Sequence, residues 1–322
     1  MSRTVRELGL ALQTNKRPGE YAALARLADD AGFAVVTVYN DLWCQPALPA
    51  LLEISAATSR ARIGPSCLNP FTLHPVEIAG QIAALDTASS GRAFLGLAAG
   101  AWLDTLGIDQ SGGVTAVREA WEIVRRLLAG DERGFEGERF SLPLGARLRY
   151  PVERREVSLL VGSWSIKLTA FAAEAATELK VGGSANPDLV SVMRERVANP
   201  EVGLVFGAVT VIDEDGGRAR DLARREVAHY LPVVGHLDPT VTLEPELLEQ
   251  LRSGGERSAA LISDGVLDRF AFAGTPAEVA EQAEAILDAG ASRVDFGTPH
   301  GIDERKGVDL LCRSVLPRLR VA

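Results

Sequence analysis

Five short stretches of the chain combine residue types that can do chemistry. Asn40-Asp41, with Trp43 just behind, puts an amide, a carboxyl and an indole within one turn. That set can contact a polar ligand, and Asp41 could carry a proton. The plain alternative, which turn chemistry favours, is an Asn-Asp turn capping the next segment. Pro65-Ser66-Cys67-Leu68-Asn69-Pro70 reads as an irregular strand exit of the bulge type, and bulges cluster beside active sites. An unpaired cysteine such as Cys67 is more often a small buried apolar residue than a reactive one. His74, before Pro75 at a helix start, suits a structural role as well as a functional one. Gly96-Leu97-Ala98-Ala99-Gly100 lacks bulk, so its backbone could approach a flat ligand closely, or simply pack tightly. Its glycine spacing is not that of a dinucleotide fingerprint.

The other two stretches, Gly162-Ser163-Trp164-Ser165 and Gly182-Gly183-Ser184-Ala185-Asn186-Pro187, each lead into a helix. Exposed N–H groups at a helix start, with serine hydroxyls beside them, suit a phosphate. Ordinary serine N-capping is the competing reading. Two such loops on neighbouring strands point to one shared phosphate pocket. Gly297-Thr298-Pro299-His300-Gly301 is a rival location, because barrels often bind phosphate near their last strands. His229 and His236, seven apart, have no third ligand at metal-binding spacing, so no metal is expected. There is no Gly-x-Ser-x-Gly elbow and no phosphate-binding Gly-rich lysine loop.

These stretches need elements to position them, and hydrophobic periodicity supplies them. Short β-branched or apolar runs alternate with stripes at helical spacing. The strands are read at Leu8–Leu12, Phe33–Tyr39, from Arg62, Ala93–Ala98, Val157–Val161, Leu179–Val181, Val202–Ile212 and Arg293–Phe296. Runs apolar almost throughout, such as the second, suit parallel strands buried on both faces. Eight strand–helix units over 322 residues predict a single-domain α/β fold, a (β/α)8 TIM barrel. A doubly wound open sheet is the runner-up. Two insertions are expected, a hairpin-like one at 131–151 and a longer one at 231–263, the latter a lid over the substrate or else a dimer contact or surface elaboration. Each chemistry-bearing stretch follows a strand, so all would lie at the carboxyl-terminal mouth, where barrels build their sites.

Composition narrows the partners. Lys and Arg number 34 and Asp and Glu 43, a net charge of −9 with no basic tract, which disfavours nucleic acid and anionic membranes. No apolar run approaches the ~20 residues of a membrane span. The start, Met1 to Glu7, does not read as an apolar secretory core. Three cysteines without a Cys-x-x-Cys pair fit a reducing cytoplasm. Aromatic residues are 6% of the chain, yet Trp43, Trp102 and Trp164 all follow strands and only Trp121 falls on a packing helix, as if indole were concentrated around a flat-ring pocket.

Several ordered motifs give the chain a resemblance. They are Asn-Pro-x-x-x-His-Pro (Asn69 to Pro75), Ala-x-Leu-Asp (Ala83 to Asp86), Ser-x-Gly-Arg-x-x-Leu-Gly (Ser89 to Gly96), Arg118-Glu119-Ala120-Trp121, Phe272-Ala273-Gly274-Thr275-Pro276 and Gly297 to Gly301. With these the sequence resembles the bacterial-luciferase-like flavin and deazaflavin oxidoreductases over nearly its whole length. Its tail is similar to the methylenetetrahydromethanopterin reductase branch, which uses coenzyme F420. The resemblance implies a barrel holding a deazaflavin or flavin at its mouth, with a non-proline cis peptide at Ser66–Cys67 propping the ring. It implies cofactor contacts from Ser66, Cys67, Leu68, Asn69, Ala99, Gly100, Gly162, Ser163, Trp164, Ser165, Gly183 and Ser184, and demotes the Gly297 loop as phosphate site. Chemistry would fall to Asn40, Asp41 and Trp43, in a homodimer or larger homo-oligomer acting on a small-molecule substrate.

The departures matter as much. Ala11 stands where that branch commonly has a glutamate, Asn40-Asp41 where it has Asp-His, Ala101 where it has an acid, and Ala176-Thr177-Glu178 where it has Ala-Asp-Gly. The lost acids leave Asp41 as the first candidate proton donor, with Glu178 not expected to face the site. The expected activity is F420-dependent hydride transfer to or from an organic substrate. The alternatives are an FMN-dependent monooxygenase and a cofactor-binding protein without turnover. An acidic protein that binds F420, whose own tail is acidic, must do so through local N–H groups and a few basic residues.

Overall fold

The computed structural model describes residues 6–319 and 321; residues 1–5, part of the polar start of the chain, lie outside the described residues. The chain opens with β1 (Glu7–Leu12), α1 (Glu20–Ala31), β2 (Val35–Val38), α2 (Ala47–Ala57), β3 (Arg62–Pro65), α3 (Pro75–Ala88), β4 (Phe94–Ala98) and α4 (Gly113–Ala129). A hairpin of β5 (Phe135–Glu136) and β6 (Ser141–Leu142) fills the first insertion and pairs antiparallel. Then come β7 (Ser158–Gly162), α5 (Ile166–Ala175), β8 (Glu178–Gly182), α6 (Asp188–Val197), β9 (Gly203–Ile212) and α7 (Gly216–Val234). The second insertion carries α8 (Pro245–Gly254), and α9 (Asp264–Phe270) leads out of it into β10 (Ala271–Gly274). The chain closes with α10 (Pro276–Asp288), β11 (Arg293–His300) and α11 (Glu304–Leu310).

The hydrogen-bonded strand order is β3-β2-β1-β11-β9-β8-β7-β4, and a parallel bridge from Ile63 to Ala93 joins the two end strands. The eight expected strands therefore form the (β/α)8 ring. β10 lies off that path, paired in parallel with the second half of β9. Neither β10 nor α9 is expected from the sequence. Ala-Phe-Ala-Gly is a four-residue apolar run, and periodicity cannot separate so short a strand from a helix end. α7 also runs into the stretch expected as the second insertion, through Pro232 to Val234. A proline in the last turn forfeits only a local hydrogen bond.

By density of internal contacts the chain divides into two compact units. One is Met1–Leu12, Asp30–Ala34 and Lys180–Ala322; the other is Gln13–Asp29 and Val35–Leu179. In the second unit Asp29 lies near the end of α1 and accepts from the backbone N–H groups of Ser59, Arg60 and Ala61, which fixes the entry to β3. Burial raises the Asp29 carboxyl, but these three N–H bonds outweigh it and hold it below the ordinary value.

In the first unit the inner face of the sheet carries charge. Lys180 of β8 contacts Asp295 of β11 at 2.8 Å, Arg293 contacts it on the other carboxylate oxygen at 2.8 Å, and all three are buried. Gly9 and Gly207 stand in register with Asp295 on either side. A Cβ at Gly9 would lie 2.0 Å from the Asp295 carboxylate, so only glycine leaves room for it. Burial pushes the Asp295 carboxyl up, but the two cations prevail and bring it down to about 2.

The buried cluster yields a stability prediction. Asp295→Ala strips two buried cations of this partner and should cost about 3–5 kcal/mol. In the wild type the carboxylate's contribution is present above the ordinary ~3.9 and lost as pH falls toward 2. Urea midpoints of wild type and variant, compared at pH 7 and pH 3, should lie closer together at the lower pH. A constant difference would mean that this carboxylate does not hold the cluster together.

Candidate active site

The loops after β2, β3, β4 and β7 belong to the second unit, and the loop after β8 belongs to the first. Each is described within its own unit.

After β3 the chain leaves the sheet at Ser66, whose N–H still donates to Val38 O, and returns at Leu68, which bridges in parallel to Leu97 of β4. The excursion between them is the expected bulge, and the Ser66–Cys67 peptide is cis. Cys67 is turned onto two glycines. A Cβ at Gly162 would sit 2.7 Å from its Sγ, and one at Gly96 would sit 2.1 Å from Pro65 O. Gly96 is thus packed tightly against the β3 exit, and Gly162 of β7, for which the sequence carries no packing signal, is packed against Cys67 in the same way. The Ser66 hydroxyl is buried and has no hydrogen-bond partner among the described residues. Buried hydroxyls normally find one.

Asn69, also buried, turns its Oδ1 back to accept from the N–H groups of Phe71 and Thr72 and from the Thr72 hydroxyl. Behind it Gly100, at φ +87°, packs its Cα against Asn69 and Leu103. The carbonyls of Ala99 and Gly100 both accept from Gln110 Nε2, at 2.8 and 3.0 Å. Gln110 carries no signal in the sequence, and no spacing rule would have found it. His74 proves structural: its Nδ1 accepts from Val76 N–H at the start of α3, and its ring meets Phe140 edge to face.

After β2, Asn40 does what turn chemistry favours. Its Oδ1 accepts from the N–H of Ala47, the first residue of α2. The Asp41 carboxylate does not cap anything. It is reachable from solvent, and its only hydrogen bond among the described residues comes from Gln13 Nε2 at 2.8 Å. The protein mass around it raises the carboxyl above its ordinary value, and the Gln13 bond lowers it by less. Trp43 is 83% exposed at φ +67°, and Trp102 is 41% exposed at φ +55°. Left-handed backbone at a bulky residue costs on the order of 1–3 kcal/mol and persists only where its surroundings impose it. Trp164 differs from both: it is buried.

After β7, Ser165 caps α5 by accepting from Leu168 N–H, while Ser163 Oγ accepts from Ser165 N–H. The first turn of α5 then presents Ile166 and Lys167, both exposed. Lys167 is an exposed positive charge at this helix start; its place is legible only once the helix start is fixed. After β8, by contrast, the N–H groups of Gly183 and Ser184 both donate to Gly207 O. Ser184 is buried and accepts from Asn186 N–H. Asn186 in turn donates to Asp238 and Thr240, pinning the second insertion to this loop. That loop therefore spends its donors internally.

The replaced acidic positions are also placed. Ala11 is buried in β1, Ala101 is exposed, and Glu178 pairs with Arg62 at 3.3 Å. Among the described residues no three metal-ligating side chains converge.

Comparison with known proteins gives the family and supports the fold. The chain belongs to the luciferase-like monooxygenase family, whose profile matches residues 4–293. It is 26% identical to the 5,10-methylenetetrahydromethanopterin reductase of Methanopyrus kandleri, over 97% of this chain and 98% of that protein. It is 25% identical to the F420-dependent glucose-6-phosphate dehydrogenase of Rhodococcus erythropolis, over 94% of each. The solved structure of the coenzyme F420-dependent tetrahydromethanopterin reductase from Methanopyrus kandleri superposes with a TM-score of 0.87 at 24% identity, covering 99% of this chain and 100% of that one.

The Cys67 contact predicts a coupled pair. Gly162→Ala should destabilise by about 1–3 kcal/mol, the usual cost of overpacking. In a Cys67→Ala background, where the Sγ is gone, most of that cost should disappear. Thermal unfolding of the four proteins of this cycle reads the coupling; additive effects would mean the bulge is not held by this contact.

Proposed function

We propose that the chain is a coenzyme F420-dependent oxidoreductase acting on a small organic substrate. What carries the reading is the end-to-end match, in sequence and in fold, with proteins named for that cofactor. The chain's own residues fit such a ligand. The buried Ser66 hydroxyl without a partner sits beside the Cys67 bulge, where a ligand oxygen or nitrogen would complete it. A bound deazaflavin would supply a carbon centre that accepts or gives up a hydride.

The protein supplies the rest. Ser66, Cys67, Leu68 and Asn69 form the support for a flat ring, and Ala99 and Gly100 let backbone approach it. The start of α5, with Gly162, Ser163, Ser165 and Lys167, takes the phosphate, and Trp164 in the same loop is buried. Gly183 and Ser184 offer only the Ser184 hydroxyl proton in their present arrangement, so they rank below the α5 start. Trp43 and Trp102 present indole faces that stack on a ring and exclude water. Asn40 fixes the start of α2, and Asp41 holds the proton that accompanies the reduction or oxidation of substrate at its carboxyl. We further infer one domain over residues 1–322, a homodimer or larger homo-oligomer, and a cytoplasmic setting. Among the described residues no helix is long and apolar enough to cross a membrane. The family's description as monooxygenases keeps FMN with molecular oxygen as the second reading.

Two experiments test this. Reduced F420, mixed anaerobically with the protein and panels of ketones, imines and activated alkenes, should be reoxidised by at least one class; turnover only with FMN and oxygen would favour the second reading. Ser66→Ala should act with opposite signs on two readouts. It should leave the free protein as stable or more so, since it removes an unsatisfied buried hydroxyl, and weaken cofactor binding roughly threefold to tenfold, the worth of one hydrogen bond. Equal cofactor affinity in the variant would take Ser66 out of the site.

A further inference from the structure

Asp41 has one neighbour that the functional reading leaves unused. Gln13 follows β1 directly, and its side-chain amide is oriented without ambiguity. Its Oε1 accepts from the backbone N–H of Thr14 at 2.8 Å. A backbone N–H can only donate, so the atom facing it must be the amide oxygen. The NH2 group is thereby turned outward, and it meets Asp41 Oδ2 at 2.8 Å. The two loops are locked together besides: Gln45 N–H donates to Thr14 O at 2.9 Å, and Gln45 Nε2 donates to Lys16 O at 3.1 Å. These bonds hold together the two loop backbones that carry Gln13 and Asp41.

We infer that Gln13 is a positioning residue which sets the ionisation of Asp41, by presenting a fixed N–H donor to its carboxylate. The inference rests on the reading of Asp41 as proton carrier. A carboxylate is an acceptor only, so a donor forced onto it favours the charged form. Around Asp41 burial alone would favour the neutral acid, and Gln13 opposes it. The net effect leaves the carboxyl above its ordinary value, and Gln13 is what limits the rise.

Other groups nearby do not take over this role. Cys44, on the same loop, has its thiol pushed up by burial and by the charge of Asp41. Tyr21 of α1 accepts from Lys16 N–H and is itself pushed up, first by burial and then by Glu53, Cys44 and Glu20. Lys16 on the β1 loop donates to Asn15. Among the described residues no cation lies within ion-pair distance of Asp41, and no second carboxylate bonds to it. Only Gln13 speaks for the carboxylate.

Two substitutions separate the donor from the lacing. Gln13→Glu keeps an oxygen for Thr14 N–H but puts a carboxylate where the NH2 was. Gln13→Leu removes both. The readout is the midpoint of the Asp41 carboxyl carbon shift in 13C NMR of the cofactor-free protein, assigned with Asp41→Asn. Both variants should raise that midpoint, Gln13→Leu by about one pH unit, a tenfold change in the ionisation constant, and Gln13→Glu by at least as much because a like charge is added. If the F420 reading also holds, the basic limb of turnover moves upward with it. An unchanged midpoint in a folded variant overturns the inference. Failure to bind F420 or FMN overturns the functional reading instead, and leaves the NMR result to be judged alone.

Discussion

The close approach of the β3 exit to the glycines of two other strands, Pro65 O to Gly96 and Cys67 Sγ to Gly162, is the contact on which the rest of the candidate site depends. A parallel strand that leaves its sheet for two residues and rejoins it must put those side chains somewhere. Here β4 and β7 present Gly96 and Gly162 where the bulge closes, and a methyl group at either would collide with it. The bulge in turn fixes the residues on its far side. Leu68 rejoins β4, Asn69 folds back over Thr72, and Gly100 packs against Asn69, with Gln110 holding the two carbonyls of that loop. One consequence is chemical: the bulge buries the Ser66 hydroxyl and gives it no partner of its own. Among the described residues few buried side-chain oxygens or nitrogens lack a hydrogen bond, and the Ser66 hydroxyl is the one at the bulge.

A second theme is how an acidic chain handles charge. Some of its buried charges pair with opposite charges, as in the Lys180–Asp295–Arg293 cluster of the first unit, and others, such as Asp29, are held by backbone N–H groups. At the candidate site the chain instead uses dipoles and one exposed lysine. The start of α5 with Lys167 offers positive potential to an anionic group, and Gln13 offers a neutral donor to Asp41. That economy fits a net charge of −9, which opposes any anionic ligand at long range and leaves recognition to contacts.

Much of this is legible in the sequence. The eight ring strands, the hairpin in the first insertion, the helix starts at Pro75, Ser165 and Pro276, and the irregular exit after β3 all come from period, proline and small-residue signals. Such signals are local, and they report where a strand ends. They do not report what a side chain touches across the sheet. Hence Asn40 and Asp41, adjacent and equally plausible, separate only in the structure, where one caps α2 and the other bonds to Gln13. Ser163, Ser165 and Ser184 look alike as phosphate ligands, yet Ser184 is buried with its loop's N–H groups committed to Gly207. The indole pattern likewise splits: Trp43 and Trp102 are exposed on left-handed backbone, whereas Trp164 is part of the packing. β10 and α9 escape a sequence reading because elements of four and seven residues carry too little periodicity.

The central claim is that this bulge and the α5 start hold a deazaflavin in preference to a flavin. Its most direct test is a pair of equilibrium titrations of the purified protein, with F420 and with FMN, followed by cofactor fluorescence at low ionic strength. The expected result is saturable F420 binding at one site per chain, at least tenfold tighter than FMN, a difference of about 1.4 kcal/mol. Tighter binding of FMN, or of neither, would contradict it.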